Sequence, residues 1–227
     1  PDGSPVAMVH CNNCTSDLNA WVNIFKEYQE LLGIPVDMNE VFGKLYNHAL
    51  KGDADCGGLM AYNYISGEPV TGLAEGRPLF MRSPKSKFNL ANFMRANLYA
   101  SVGVLKIGND ILFNDEKVKV DRITGHGGLF KPPGVGQRIL AAAINSPISV
   151  METAGEGGAW GIALLAGYLV NNKSKKSLAD YLDKKVFAGN TGVEIAPTKE
   201  DVEGFNEYIK EYQNCLPVEQ EAVKLKK

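Results

Sequence analysis

No apolar run in this 227-residue chain is long enough to span a bilayer. The longest, Ala159–Val170, has 12 residues, short of the ~20 that a transmembrane helix needs and about right for a buried one. An excess of positive charge is also missing. Lys and Arg number 24 against 26 Asp and Glu, for a net charge of -2. No basic stripe interleaved with aromatics occurs, which speaks against a nucleic-acid binder. Histidine is scarce (His10, His48, His126), and the four cysteines lie at 11, 14, 56 and 215. The spacing Cys11-Asn12-Asn13-Cys14 fits a redox pair or half a zinc site. A zinc site needs two further ligands at matching spacing, and they are lacking. Free thiols in a reducing cytoplasm are therefore expected. The start, Pro1-Asp2-Gly3-Ser4-Pro5, has no apolar stretch of the kind a signal peptide carries. It also lacks an initiator Met, which points to a processed or cut form. Internal repeats and low-complexity tracts are absent.

What is present is ordinary for a globular core: 44% hydrophobic residues with 22% charged. Val6–His10 reads as a short strand. Thr15 or Ser16 can cap a helix in which Leu18, Trp21, Val22, Phe25, Tyr28 and Leu32 recur at spacings of three and four, ending at Gly33 and Pro35. Asn39 can cap a second helix. Leu59–Ile65 reads as a strand with aromatic rungs, and Ser66–Pro84 as a long loop or short hairpin. Asn89 caps a helix over Leu90–Leu112. From residue 119 strands and helices alternate: Lys119–Thr124, then Gly136–Ala143, then Ile148–Met151, then Ala159–Val170. That order indicates an α/β sheet with parallel crossovers. Leu178–Val186 is partly helical, Phe187–Pro197 is a Gly/Pro loop, Lys199–Cys215 is an amphipathic helix, and 216–227 reads as a frayed tail.

Two glycine clusters stand out, each between a β-prone run and an apolar helical run. The first is Gly125-His126-Gly127-Gly128-Leu129-Phe130. Glycine lets a ligand approach the backbone, although it also serves plain tight turns. The second, Gly155-x-Gly157-x-x-x-Gly161, is close to a dinucleotide fingerprint and makes an NAD(P)-dependent oxidoreductase the rival reading. It sits late in the chain, and Asp180 at the expected distance falls in a polar helical segment rather than at a strand end. Close helix–sheet packing through Gly158, Ala159, Gly161 and Ala163 accounts for it better. His126 is expected as a hydrogen-bonding turn residue, and Arg77, Arg82 and Arg95 as structural or surface charges, since none belongs to a basic cluster.

Four stretches, in order, resemble the C-terminal domain of the FGGY carbohydrate kinases, the family of xylulokinase, ribulokinase and glycerol kinase. They are Thr15–Trp21; Gly57-Gly58-Leu59 through Gly67-Glu68 with Gly76-Arg77-Pro78; Met94-Arg95-Ala96; and Gly127-Gly128 with Gln137, followed by Glu156-Gly157-Gly158-Ala159-Trp160-Gly161. The resemblance covers about residues 6–171. It implies an α/β, RNase-H-like (actin-like ATPase) domain with a mixed sheet flanked by helices. It also implies a cytoplasmic enzyme that uses ATP and Mg²⁺ to phosphorylate a sugar, a ketopentose or related polyol. Residues 1–215 would be the ATP-binding C-terminal domain, with 34–87 as an inserted helix and loop region.

In that reading Gly127 and Gly128 lie under the adenosine and α-phosphate, and Leu129 and Pro132 flank the base or ribose. Ser16 stands where relatives often have a nucleotide-contacting Gly, and Ala20 where glycerol kinases place a Gln. Pro69 replaces the usual Arg of "G-E-R", and Tyr99 a common Glu. The family's phosphate loop, sugar pocket, catalytic Asp and Gly-Thr-Ser hairpin are not found here. No catalytic or metal-binding residue is expected in this chain, which alone should be inactive. ATP or ADP would be its ligand, and the sugar would be held by an absent N-terminal domain. Nucleic acid and membrane are not expected as partners. A non-catalytic module that keeps the fold is a third reading. A truncated domain would expose a strand edge and an apolar interlobe face, favouring a homodimer.

Overall fold

A computed structural model describes residue 3 and residues 5–172, 176–189 and 192–225. Helix α1 (Ser16–Leu31) buries Leu18 and Val22 from its apolar face. It ends where Gly33 takes φ +70°, a left-handed conformation that glycine adopts without strain. Helix α2 (Met38–Ala49) starts one residue before Asn39, because Asp37 is the cap: its side chain accepts from the Asn39 N–H at 2.9 Å. Strands β1 (Leu59–Tyr62) and β2 (Leu79–Arg82) pair antiparallel from Leu59↔Arg82 to Tyr62↔Leu79, so the Gly/Pro stretch does close a hairpin.

The Asn89 carboxamide then caps α3 (Leu90–Asp110) by accepting from the Asn92 N–H at 2.9 Å. Its first four turns are buried nearly all round, against α2, β1 and the following helix. Residues 34–87 supply Val41, Leu45, Tyr46, Leu59 and Tyr62 to this core.

The second sheet has order β3-β4-β5. Strand β3 (Ile123–Thr124) lies parallel to β4 (Ile148–Val150), with α4 (Val135–Ile144) as the crossover. Beyond β4 come α5 (Gly157–Asn171) and α6 (Leu178–Tyr181). Strand β5 (Val193–Ile195) then returns antiparallel on β4, inside the segment expected as loop. Helix α7 (Lys199–Asn214) buries Phe205, Tyr208, Ile209 and Tyr212, the face its periodicity predicts. The Tyr208 hydroxyl lies 3.2 Å from the carbonyls of both Ala61 and Ala96, and the Tyr62 hydroxyl donates to the Tyr212 carbonyl.

Several expectations give way. Val6–His10 forms no strand: Val6 and Met8 are 86% and 79% exposed. Residues 216–222 are not frayed but form α8 (Leu216–Ala222), held because the buried Glu219 accepts from the Arg77 N–H at 2.6 Å. The apolar helix α5 is not buried: Ile162, Leu169 and Val170 are 69%, 79% and 75% exposed. Its small residues make no close helix–sheet packing either, since a Cβ at Gly158 or Gly161 would meet nothing within 4 Å. The close approach is one position earlier. A Cβ at Gly157 would lie 2.8 Å from Nδ1 of His126.

Candidate nucleotide site

Beyond β3 the backbone keeps its pairing for one more residue, with the Gly125 N–H donating to the Ser149 carbonyl at 2.9 Å. The Gly127 N–H then turns back to the Ala154 carbonyl at 2.8 Å. Gly127 holds φ +105° and ψ -178°, a conformation essentially reserved for glycine. It launches a 3₁₀ turn over Gly128–Phe130, closed by Phe130 N–H to Gly127 O at 3.1 Å and Lys131 N–H to Gly128 O at 3.2 Å. Gly128 is exposed, and a Cβ there would meet nothing within 4 Å. The backbone at Gly128 is thus open to an incoming group.

What it opens onto is a cleft of about 420 Å³ with three walls. Thr15 and Asn19 come from the start of α1; Met38, Asn39, Phe42, Gly43 and Tyr46 from α2; Gly128, Lys131, Pro132 and Pro133 from the turn. Carbon surface from Met38, Phe42 and the prolines faces side-chain amides and a hydroxyl, the mixture that suits a small amphipathic ligand. Burial, with the nearby Cys14 charge second, pushes the Tyr46 phenol up to about 12, so it remains a neutral hydroxyl at physiological pH. A larger cavity of about 740 Å³ lies beyond Lys131 and Pro133, over Val150 and Val193, and touches neither Gly127 nor Gly128.

The expected site residues fall on different sides of this geometry. Gly128 and Pro132 line the cleft. Gly127 shapes its backbone without lining it. Leu129 is 7% exposed and belongs to the core, below the turn rather than beside a ligand. Ser16 and Ala20 are exposed and outside the cleft, whereas Thr15 and Asn19 line it. One residue is 100° of helix rotation, so a reading displaced by one position selects the neighbouring face. The α2 wall was not read from the sequence. Its signal is Gly43, in mid-helix with open space over its Cα.

Other candidates lie elsewhere. Arg95 is buried and committed to structure. Its Nη2 donates to the Tyr99 hydroxyl at 2.9 Å and pairs with Asp201, and its Nη1 donates to the Gly52 carbonyl at 3.2 Å. Arg82 stacks 4.7 Å from the Phe88 ring centroid, and Arg77 donates to Gly76 O at 2.8 Å. All four cysteines are free thiols; burial, together with the Glu68 charge, pushes Cys11 up to about 11. Among the described residues no group of three or more His, Cys, Asp or Glu could hold a metal ion, and no helix is long and apolar enough to cross a membrane.

Residues 2–170 match the model of the FGGY family of carbohydrate kinases, C-terminal domain. The chain belongs to that family. Among solved structures it is similar to xylulose kinase from Rhodospirillum rubrum, with TM-score 0.64 and 17% identity over 92% of this chain and 40% of that one. Gluconate kinase from Lactobacillus acidophilus gives TM-score 0.59 and 18% identity, over 77% of this chain and 34% of that one. Plasmodium falciparum glycerol kinase with ADP gives TM-score 0.59 and 18% identity, over 86% and 37%. No curated protein matches the chain. These likenesses give it the actin-like ATPase fold, as a mixed α/β domain with helix-flanked sheets. The FGGY domain spans well under half the length of the kinases it resembles. Membership of a kinase family displaces the rival dehydrogenase reading of Gly155–Gly161. Gly155 backs onto the Lys131 side chain and Gly157 onto His126.

Proposed function

We propose that this chain is the ATP-binding half of a sugar kinase whose other half binds the sugar. Residues 1–215 are the nucleotide domain, and the helix that follows is part of the same fold. The observation that carries the reading is the three-walled cleft, in which the exposed backbone at Gly128 meets the start of α1 in a chain of the FGGY family. Adenosine fits its size and mixed lining, with Pro132, Pro133 and Phe42 against the base and Thr15, Asn19 and Asn39 as polar contacts. Gly127 and Gly128 let the phosphate end pass close to the backbone. ATP is the cofactor. Mg²⁺ would travel with its phosphates, because the described residues offer it no cage of their own.

The parent enzyme transfers the γ-phosphoryl group to a sugar hydroxyl, on a ketopentose or related polyol, in the cytoplasm. Such transfer rests on positioning, charge neutralisation and a base for the hydroxyl proton. This chain supplies part of the positioning. The exposed apolar face of α5 supports a missing lobe: a helix apolar all round is normally covered.

Calorimetric titration tests the reading. ADP should bind saturably to the 227-residue chain, and Gly128→Asp, which places a carboxylate where phosphate would pass, should weaken it at least about tenfold, about 1.4 kcal/mol. NADH binding without ADP binding would sink the proposal.

A further inference from the structure

Helix α2 carries a glycine in its interior, Gly43. Glycine inside a helix is destabilising relative to alanine, so its presence calls for a cause. The two usual causes are missing. Gly43 does not take a positive φ, and a Cβ there would meet nothing within 4 Å, so no neighbouring element requires the space. What the bare backbone faces is the cleft. Gly43 lines it between Asn39 and Tyr46, at the i, i+4, i+7 spacing of one helix face. Phe42 and Tyr46 stand edge to face beside it, with ring centroids 5.8 Å apart and planes at 83°. Pro132 and Pro133 supply flat apolar surface from the turn. The missing side chain leaves a slot in the middle of the α2 wall.

The polar groups around that slot share a second property. Every lining side chain from α2 and from the start of α1 is neutral. The charged lining residue, Lys131, comes from the turn, and its side chain runs along Gly155. The carboxamides of Asn19 and Asn39 are exposed and make no hydrogen bond to any described residue; only the backbone of each is paired. A carboxamide held by nothing rotates to offer either its N–H or its oxygen, and the hydroxyls of Thr15 and Tyr46 likewise donate or accept. A site separates two polar ligands strongly when a fixed donor or acceptor is left unpaired by one of them. Adenine carries an amino donor where guanine carries an oxo acceptor. Groups that turn to suit either base do not separate the two.

Resting on the nucleotide reading of the cleft, we propose that Gly43 makes room for a two-ring base, and that the cleft takes purine nucleotides without choosing between adenine and guanine. A purine covers more of Met38, Phe42 and the two prolines than a pyrimidine does, and apolar burial is the main attraction such walls offer a base. A side chain at position 43 would fill the slot from its middle. The phosphate end passes the Gly128 backbone and is common to all nucleotides, so the base alone separates them.

Calorimetric titration of the 227-residue chain with ADP, GDP and CDP tests this. ADP and GDP should bind within about tenfold of each other, and CDP at least about tenfold more weakly than either. Gly43→Leu, which keeps a good helix former, should weaken both purine nucleotides at least about tenfold and CDP markedly less. Gly43→Ala separates this role from a structural one: it should raise the melting temperature by about 1–4 °C, as a helix gains on losing a glycine, and still weaken ADP. GDP binding more than tenfold weaker than ADP overturns the proposal, as does CDP binding as tightly as ADP. Purine affinities unchanged in both folded variants, or a lowered melting temperature in Gly43→Ala, overturn the role of Gly43. Each of these results leaves the nucleotide reading standing. Failure of the unsubstituted chain to bind any of the three diphosphates removes that reading, and the proposal with it.

Discussion

Gly127 and Gly128 are neighbours with different tasks. Gly127 occupies φ +105°, ψ -178°, where a Cβ is strained whatever space surrounds it. Gly127→Ala should cost on the order of 1–3 kcal/mol in urea unfolding. Gly128→Ala, with a negative φ and open space, should cost little by the same measurement. The doublet was legible in the sequence; which glycine shapes the turn and which lines the cleft was not, because that depends on φ. Leu129 lies in the middle of the 3₁₀ turn, and its buried side chain joins the core.

Arg95 is the other residue whose role only the fold decides. It bridges α3 to α7 through Asp201, which also lies 3.4 Å from Arg138. Burial raises the Asp201 carboxyl, but its bonds to the Thr198 hydroxyl and Arg95 and the two guanidinium charges win, holding it below the ordinary carboxylate value. A depressed folded value gives stability that is present above the unfolded pKa of about 3.9 and is lost as pH falls through the folded one. Arg95→Ala should therefore cost about 3–5 kcal/mol at neutral pH, and the loss should shrink in acid, as read from denaturant melts at both pH values.

At the scale of elements, helices with a capping residue and a 3.6-residue period were legible. Asn89 announced α3, and Phe205, Tyr208 and Tyr212 announced the buried face of α7. Strands of two or three residues were legible only in part, because so short a run carries no period: Lys119–Thr124 and Ile148–Met151 hold β3 and β4 as read, but Val6–His10 looked like a strand and β5 did not. Helix α8 was hidden as well, since its anchor is a contact between Glu219 and Arg77, 142 residues apart.

That anchor has a pH signature. Burial raises the Glu219 carboxyl above its ordinary value against the opposing Arg77 N–H and charge, and its Oε2 has no hydrogen-bond partner among the described residues. The folded state then holds a proton more firmly than the unfolded one. Stability should fall as pH rises from about 4.3, the unfolded value, through the raised folded value. Glu219→Gln keeps an acceptor for the Arg77 N–H and removes the titration. Its melting temperature should vary less over that window, and a variant with the parent's pH profile would contradict the assignment.

At the scale of the whole molecule, the family was legible because its motifs are local and keep their order along the chain. The walls of the cleft were legible only in part. Two of them sit at the start of α1 and at Gly128, where the motifs lie, but the third is α2, whose cleft-facing residues form no motif. On the proposed reading the sugar is held by another part of the protein, so the chain alone should show no sugar-stimulated ATP hydrolysis in a coupled assay. The outward position of α5 fits the same picture, as a face left uncovered in a domain spanning 40% of the length of the Rhodospirillum rubrum enzyme.

The central claim is that nucleotide lies between Gly128, the start of α1 and α2. Backbone amide spectra of the ¹⁵N-labelled chain, titrated with ADP, test it most directly. Saturable shifts are expected at Asn19, Gly43 and Gly128, with Val150 and Val193 in the larger cavity unmoved. Shifts confined to Val150, Gly189 and Val193, or no shifts at saturating ADP, would contradict it.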